Sequence, residues 1–146
     1  MKAIQLKGIG GEINLEVSGY ENIAASNISD ANWLTTKVIL TVGNFSGVYS
    51  ANLTTHDFLY FTEKLKNLVI GLKGQADFIT DEEAIGFSIA FDARGRVFIT
   101  GKAKNIDFPK VELSFQFESD QTYLTKTLDD FEQCTNHFPV RNILVD

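Results

Sequence analysis

The sequence predicts an α+β fold: a mostly antiparallel β-sheet of about 6–8 strands with two α-helices packed on one face. Three observations carry this. Several stretches alternate apolar and polar residues with a period of two, the signature of half-buried strands. Two others, Phe58 to Leu72 and Tyr123 to Phe138, place apolar residues at threes and fours, the signature of an amphipathic helix. Their order is four strands, helix, four strands, helix, without the strand–helix alternation that a parallel sheet requires.

The first strand is read from Ile4, Leu6 and Gly8, alternating with Gln5 and Lys7. Gly8-Ile9-Gly10-Gly11 turns the chain, and Ile13, Leu15 and Val17 bring it back against Glu12, Asn14 and Glu16. No helix start or Lys-Ser/Thr follows these glycines, so they are not a phosphate loop. Ser18 to Asp30 is polar and irregular, a long connection for a compact domain, and it runs into Asp30-Ala31-Asn32-Trp33-Leu34 with the only Trp. Val38, Leu40 and Val42 alternate with Lys37, Ile39 and Thr41; Gly43 to Gly47 turns, and Val48 to Leu53 returns.

Thr54-Thr55 caps the first helix, with Asp57 favouring the positive end of its dipole. Phe58, Phe61, Leu65, Leu68 and Leu72 form its buried stripe, and Gly74 is the expected stop. Gln75 to Ile79 is a short strand, followed by the acidic turn Thr80-Asp81-Glu82-Glu83. The hairpin from Glu82 to Ala103 is the expected centre of the sheet. Ile85, Phe87, Ile89 and Phe91 form a bulky face, and Ala84, Gly86, Ser88 and Ala90 a small-residue face over which something could pack closely. With both helices on one side, the other side would need the first hairpin, loops or a second subunit, so a homodimer is an expectation. Asn105 to Lys110 connects to a last strand at Val111 to Phe117, Asp120 caps the second helix, and Pro139 ends it. Its apolar stripe is Tyr123, Leu124, Leu128, Phe131, Cys134 and Phe138; Asp129, Asp130 and Glu132 are assigned to its wet face. Val140 to Asp146 is an apolar tail that packs or frays.

A length of 146 residues suits one domain, so residues 1–146 are expected to form a single unit. The 12 phenylalanines and 2 prolines argue for a sheet-containing core and against disorder. The net charge of −6 and the scattered Lys and Arg disfavour nucleic acid and anionic membrane as partners. With a single cysteine no internal disulfide forms. The N-terminus lacks an apolar signal core, and no apolar run approaches the roughly 20 residues of a membrane span, so the expected location is the cytoplasm.

Chemistry is sparse. Cys134 and His137 stand three apart on one helix face, but no second Cys or His completes a metal set, and a buried structural cysteine is the better reading. His56 lies beside Asp57 in the first turn of the first helix. Asp81-Glu82-Glu83 could offer carboxylates to a cation or a sugar, yet neighbours in a turn do not all face one site. Trp33 is either a core plug or an exposed anchor of the kind interfaces favour. No catalytic residue, metal ligand or cofactor is assigned.

Several short motifs, taken in order and spacing, resemble a family. They are Asp30-Ala-Asn-Trp-Leu34 before a strand, Phe45-Ser-Gly47, Leu72-Lys-Gly74-Gln-Ala76 at a helix end, Glu83 opening a strand, Gly95-x-Val97, and Phe115-x-Phe-Glu-x-Asp-Gln-Thr-Tyr-Leu124 at the last strand-to-helix join. From about residue 12 to 138 the chain resembles the WapI-like family of bacterial immunity proteins. The resemblance implies a non-enzymatic cytoplasmic protein that binds and neutralises a cognate polymorphic toxin domain of a contact-dependent system, often a nuclease. On that expectation the acidic charge suits occlusion of a basic surface, and the expected partner-binding residues are Asp30, Asn32, Trp33, Asp81, Glu82 and Glu83. The alternative is a small-molecule-binding or regulatory domain using a pocket between sheet and helices.

Overall fold

The computed structural model describes residues 1–142. The elements are β1 (Lys2–Gly8), β2 (Gly11–Tyr20), α1 (Ile28–Ala31), β3 (Trp33–Val42), β4 (Phe45–Thr54), α2 (Thr55–Gly71), β5 (Gln75–Phe78), β6 (Ile85–Phe91), β7 (Val97–Asn105), β8 (Val111–Ser119) and α3 (Gln121–His137). The α+β class, the antiparallel strands and the two long helices are as the periodicity predicts. The strands form two four-stranded sheets, ordered β1-β2-β3-β4 and β5-β6-β7-β8. Each is a meander that ends in a long helix. A 17-residue helix carries the chain roughly 25 Å, so the strand after α2 starts a sheet of its own rather than extending the first.

Each sheet buries alternate residues. Ile4, Leu6, Ile13, Leu15, Val38 and Leu53 face inward from the first, and Ile85, Phe87, Ile89, Val97 and Ile99 from the second. With the helices they make one continuous hydrophobic cluster. Its centre is aromatic. Phe61 of α2 lies 4.8 Å from Phe131 of α3, 5.4 Å from Phe78 and 5.3 Å from Phe87, ring centre to ring centre. Phe78 and Phe87 stack at 4.9 Å across the β5–β6 pair. These separations are the favoured range for aromatic pairs. The space between sheets and helices, where the alternative reading places a small-molecule pocket, is filled by these rings.

Both helix starts follow the capping chemistry read from the sequence. The Thr54 hydroxyl accepts from the Asp57 amide at 3.1 Å, and the Asp57 carboxylate accepts from the Thr54 amide at 2.8 Å, a reciprocal capping box. Burial, the larger influence, raises the Asp57 carboxyl above its ordinary pKa against those two bonds. Asp120 accepts from the Tyr123 amide at 2.9 Å. At the far end of α2 the left-handed cap is Leu72 (φ 56°), not Gly74, which takes its positive φ (94°) two residues later in the turn to β5.

Four other expectations are corrected. Ser18 to Asp30 is not wholly irregular: β2 continues to Tyr20, and Asn27 caps the short α1 by accepting from the Asp30 amide at 2.8 Å. β4 begins at Phe45, inside the expected turn. Tyr123 is 37% exposed, outside the core stripe of α3. Asp130 is not on the wet face; it is buried, because α3 lies along the open edge of β1. There the Gln5 amide donates to the Asp130 carboxylate at 3.1 Å, the Thr127 hydroxyl donates to the Gln5 carbonyl at 2.7 Å, and Lys126 pairs with Asp130 at 2.7 Å. The Ser119 hydroxyl donates to the Lys7 carbonyl at 2.6 Å, and the Ile9 amide to the Glu118 carbonyl at 2.7 Å. This junction leaves no room for side chains at the first turn. A Cβ on Gly11 would overlap the Phe117 ring, and one on Gly8 the Glu118 carbonyl.

Of the small residues, Ala84 is buried in the core, while Gly86, Ser88 and Ala90 are part-exposed on the outer face of the second sheet. That face carries a polar row in register, Asp77, Ser88, Thr100 and Gln116. Ser88 donates to the Asp77 carboxylate at 2.6 Å and Gln75 donates to it at 2.7 Å, which together hold the Asp77 carboxyl below its usual pKa. A face of this composition needs no apolar cover. The expected apolar tail begins with a docked strand of chain at Pro139 to Arg141; its part from 143 to 146 lies outside the described residues.

The aromatic core gives the first expected outcome. Phe61→Ala empties a site bordered by three other rings and should lower unfolding free energy by about 3–5 kcal/mol. Urea titration followed by circular dichroism checks it, and a loss under about 1 kcal/mol would mean that the rings do not pack as described.

Candidate functional site

Trp33 opens β3 directly after α1, and its backbone carbonyl accepts from the Glu21 amide at 2.9 Å. Its register partner is Thr54, next but one to Asn52 on β4. The turn from β5 to β6 comes up beside them. That turn is tight: the Glu83 amide donates to the Thr80 carbonyl at 3.3 Å, and Glu83 itself sits at φ 57°, in a region side-chain-bearing residues seldom occupy. The result is an open cleft of about 560 Å³ lined by Glu21, Asn22, Asp30, Trp33, Asn52 and Glu82. Two stretches separated by some fifty residues of chain thus share one surface.

The six residues expected at a partner surface divide. Asp30, Trp33 and Glu82 line the cleft. Trp33 is half-buried there and stands outside the core cluster, so its ring is a wall of the cleft and not a plug. Asp81 is exposed on the same turn but does not line the cleft. Glu83 points elsewhere; its carboxylate pairs with Lys104 at 3.1 Å and raises that ammonium's pKa, on the outer face of the second sheet. Asn32 lies beneath the surface. It is 3% exposed, and both ends of its amide are engaged inside the protein. Its nitrogen donates to the Ile28 and Arg141 carbonyls at 2.9 and 3.0 Å; its oxygen accepts from the Thr55 hydroxyl and the Arg141 amide, each at 2.8 Å. An amide with every bond made internally is a joint, not a contact.

Sequence reading missed Glu21, Asn22 and Asn52, which look like ordinary loop and strand polars, and it missed Arg141 behind the cleft. The Arg141 guanidinium donates to the Ala31 carbonyl from Nε at 2.9 Å and Nη2 at 2.7 Å, to the Asn22 carbonyl at 2.8 Å and to the Ile23 carbonyl at 3.2 Å. It also stacks 4.1 Å from the centre of the Tyr20 ring. The only hint was a cation inside an apolar tail.

Electrostatically the cleft has one sign. Glu21, Asp30 and Glu82 are all exposed, no lysine or arginine lines it, and among the described residues none of the three carboxylates is in an ion pair. Among the described residues no three His, Cys, Asp or Glu side chains are grouped to hold a metal ion. The cleft therefore offers acceptors and an aromatic wall, the complement of a basic surface.

A second surface is apolar. Phe45, Val48, Val111, Ile106 and Phe108 are each 47% exposed or more. A groove of about 360 Å³ between the β3–β4 and β7–β8 hairpins is lined by the first three of them.

The candidate catalytic groups do not assemble. Cys134 is buried while His137 is exposed against the Phe138 ring, so the pair that the helical spacing allowed does not meet. His56 leans on Tyr60, and its neighbour Asp57 is engaged in the cap. No helix among the described residues is long and apolar enough to cross a membrane.

The model of the Immunity protein WapI-like family matches residues 5–139. Among the curated proteins nothing matches. Among solved structures, the MRP1/MRP2 crystal structures from Trypanosoma bruciei are similar at 9% identity and a TM-score of 0.52, over 94% of this chain and 86% of that one. The plant transcriptional regulator PBF-2 is similar at 10% identity and a TM-score of 0.44, over 96% and 89%. At such identities the first likeness speaks to the fold alone.

Burial pushes the Cys134 thiol up to about 12. The native protein should therefore react with a thiol reagent at pH 8 at least roughly a hundred-fold more slowly than the protein in urea. Equal rates would contradict the burial of Cys134.

Proposed function

This chain belongs to the immunity protein WapI-like family, and from that premise we propose that it is a non-enzymatic binder that neutralises a cognate toxin domain in the cytoplasm. The observation that carries the reading to a place on the molecule is the cleft. It is an acidic, open surface with a half-buried Trp at its wall, and among the described residues its three carboxylates are in no ion pair. A basic patch on a toxin domain, as a nuclease presents to its substrate, fits that charge. Carboxylates at the rim of such a complex speed encounter and fix orientation, and Trp33 supplies apolar area at little entropic cost. Occlusion of the toxin's own site by a bound protein requires no chemistry from this chain, which agrees with the dispersal of His56, Cys134 and His137.

Co-expression with the toxin domain encoded in the adjacent reading frame should restore growth and yield a complex that co-purifies. Neither rescue nor complex would sink the function. Within the complex, Asp30→Asn and Glu82→Gln should each weaken binding roughly two- to five-fold, chiefly through slower association, and the loss should shrink as salt is raised. If those two leave the complex intact while Val111→Ser or Val48→Ser breaks it, the toxin sits on the apolar groove and not on the cleft.

A further inference from the structure

We propose that Arg141 is a positioning residue for the cleft: the segment after α3 folds back as a strap, and its guanidinium holds the Glu21–Ala31 connection in the shape a partner meets. This rests on the reading of the cleft as the partner surface. Apart from the Asn27 cap, the Asn32 bond to the Ile28 carbonyl and the backbone bonds at its ends, the connection is a thin, mostly exposed stretch. Residues 21–24 and 26–28 are exposed, and α1 is only four residues long. Its backbone carbonyls at Asn22, Ile23 and Ala31 converge on one cation, which donates four hydrogen bonds to them. These four bonds leave from three nitrogens of one planar fork; an ammonium has three donors on a single nitrogen and cannot make four bonds spread in this way.

The strap is fixed at both sides of Arg141's own backbone. Its amide donates to Asn32 and its carbonyl accepts from Asn32, a two-bond clamp on a buried side chain. Upstream, the Tyr20 hydroxyl donates to the Pro139 carbonyl, and the Tyr20 ring stands edge-on to Phe138 at 5.8 Å. Asn22 and Asp30, which line the cleft, are therefore held from behind by a residue more than a hundred positions away that does not line the cleft itself. A partner meeting a loop already ordered spends less of its contact energy on ordering it.

The sign of the effect separates this role from simple charge. Removing Arg141 makes the region more acidic, so electrostatics alone would tighten a basic partner; loss of the clamp weakens it. Full-length R141A and R141K are compared with the wild type. In R141A, amide hydrogen exchange over residues 21–31 should speed up roughly ten-fold or more. Acrylamide should quench Trp33, the only tryptophan, more strongly. Exchange in β6 and β7 should not change; an equal speed-up there would mean that Arg141 holds the fold as a whole and not the connection, which overturns the clamp. Affinity for the adjacent-frame toxin domain should fall about ten-fold, the effect of ordering one or two loop residues on binding. R141K keeps the charge without the fork and should resemble R141A. Unchanged exchange and quenching in R141A overturns the clamp, and so does a complex as tight as or tighter than the wild type. If Asp30→Asn and Glu82→Gln weaken the complex and R141A does not, the clamp fails and the cleft stands; if none of the three does, the cleft reading fails with it.

Discussion

An edge strand with dry, unpaired backbone groups is unstable in water and prone to pair with other chains. β1 is such a strand, buried on its inner face and open along one side. The chain resolves this with its own last helix. Asp130 takes the Gln5 amide, Thr127 supplies the Gln5 carbonyl, and the end of β8 takes up Lys7 and Ile9. These bonds join residues 5–9 to residues 118–130, so the first strand of one sheet is completed by the last helix of the other half. The glycines at 8 and 11 are consequences, since β8 can come this close only where no Cβ intervenes. An aspartate buried here is tolerable because it has both a backbone donor and Lys126.

That interlock brings α3 against α2 and encloses the phenylalanine cluster. Phe58, Phe61, Phe78, Phe87 and Phe131 come from two helices and two strands and fill the volume between them. Side chains packed this way fill the space between sheets and helices, and the clefts and grooves lie at the surface. The outer face of the second sheet is polar and self-satisfied through Asp77, Ser88, Thr100 and Gln116. The acidic cleft is different: its carboxylates have no partner within the protein among the described ion pairs, and its wall is aromatic. An acidic surface with an aromatic wall has the chemistry of a recognition surface for a basic partner. Membership in an immunity family and the chemistry of the cleft point the same way.

Around the cleft, the exposed charges and the bonds that hold the backbone belong to different residues. Glu21, Asp30 and Glu82 are exposed, and among the described residues their side chains make no hydrogen bond or ion pair apart from the local Asn27 contact to Asp30. Asn32, Thr55, Tyr20 and Arg141 stand behind them and carry the structural bonds. Substitution at the front changes the charge a partner meets; substitution at the back changes whether the loop holds its shape.

Local pattern alone determined the α+β class, the strand–helix order, the capping of α2 by Thr54 and Asp57 and of α3 by Asp120, and the burial of Cys134. These depend on periodicity and on neighbours within a few residues, which a sequence displays directly. It could not show that the eight strands divide into two sheets, because alternation is the same whichever strand lies alongside. Asp130 reads as a wet carboxylate until β1 is laid beside α3, and Asn32 as an exposed loop amide until Arg141 reaches it from 109 positions away. Asp30, Trp33 and Glu82 carry no sign in the sequence that they share a cleft while Glu83 turns away to Lys104. Contacts of that kind are set by how the two halves interlock, a long-range choice made by backbone hydrogen bonds and core packing, to which local composition is blind.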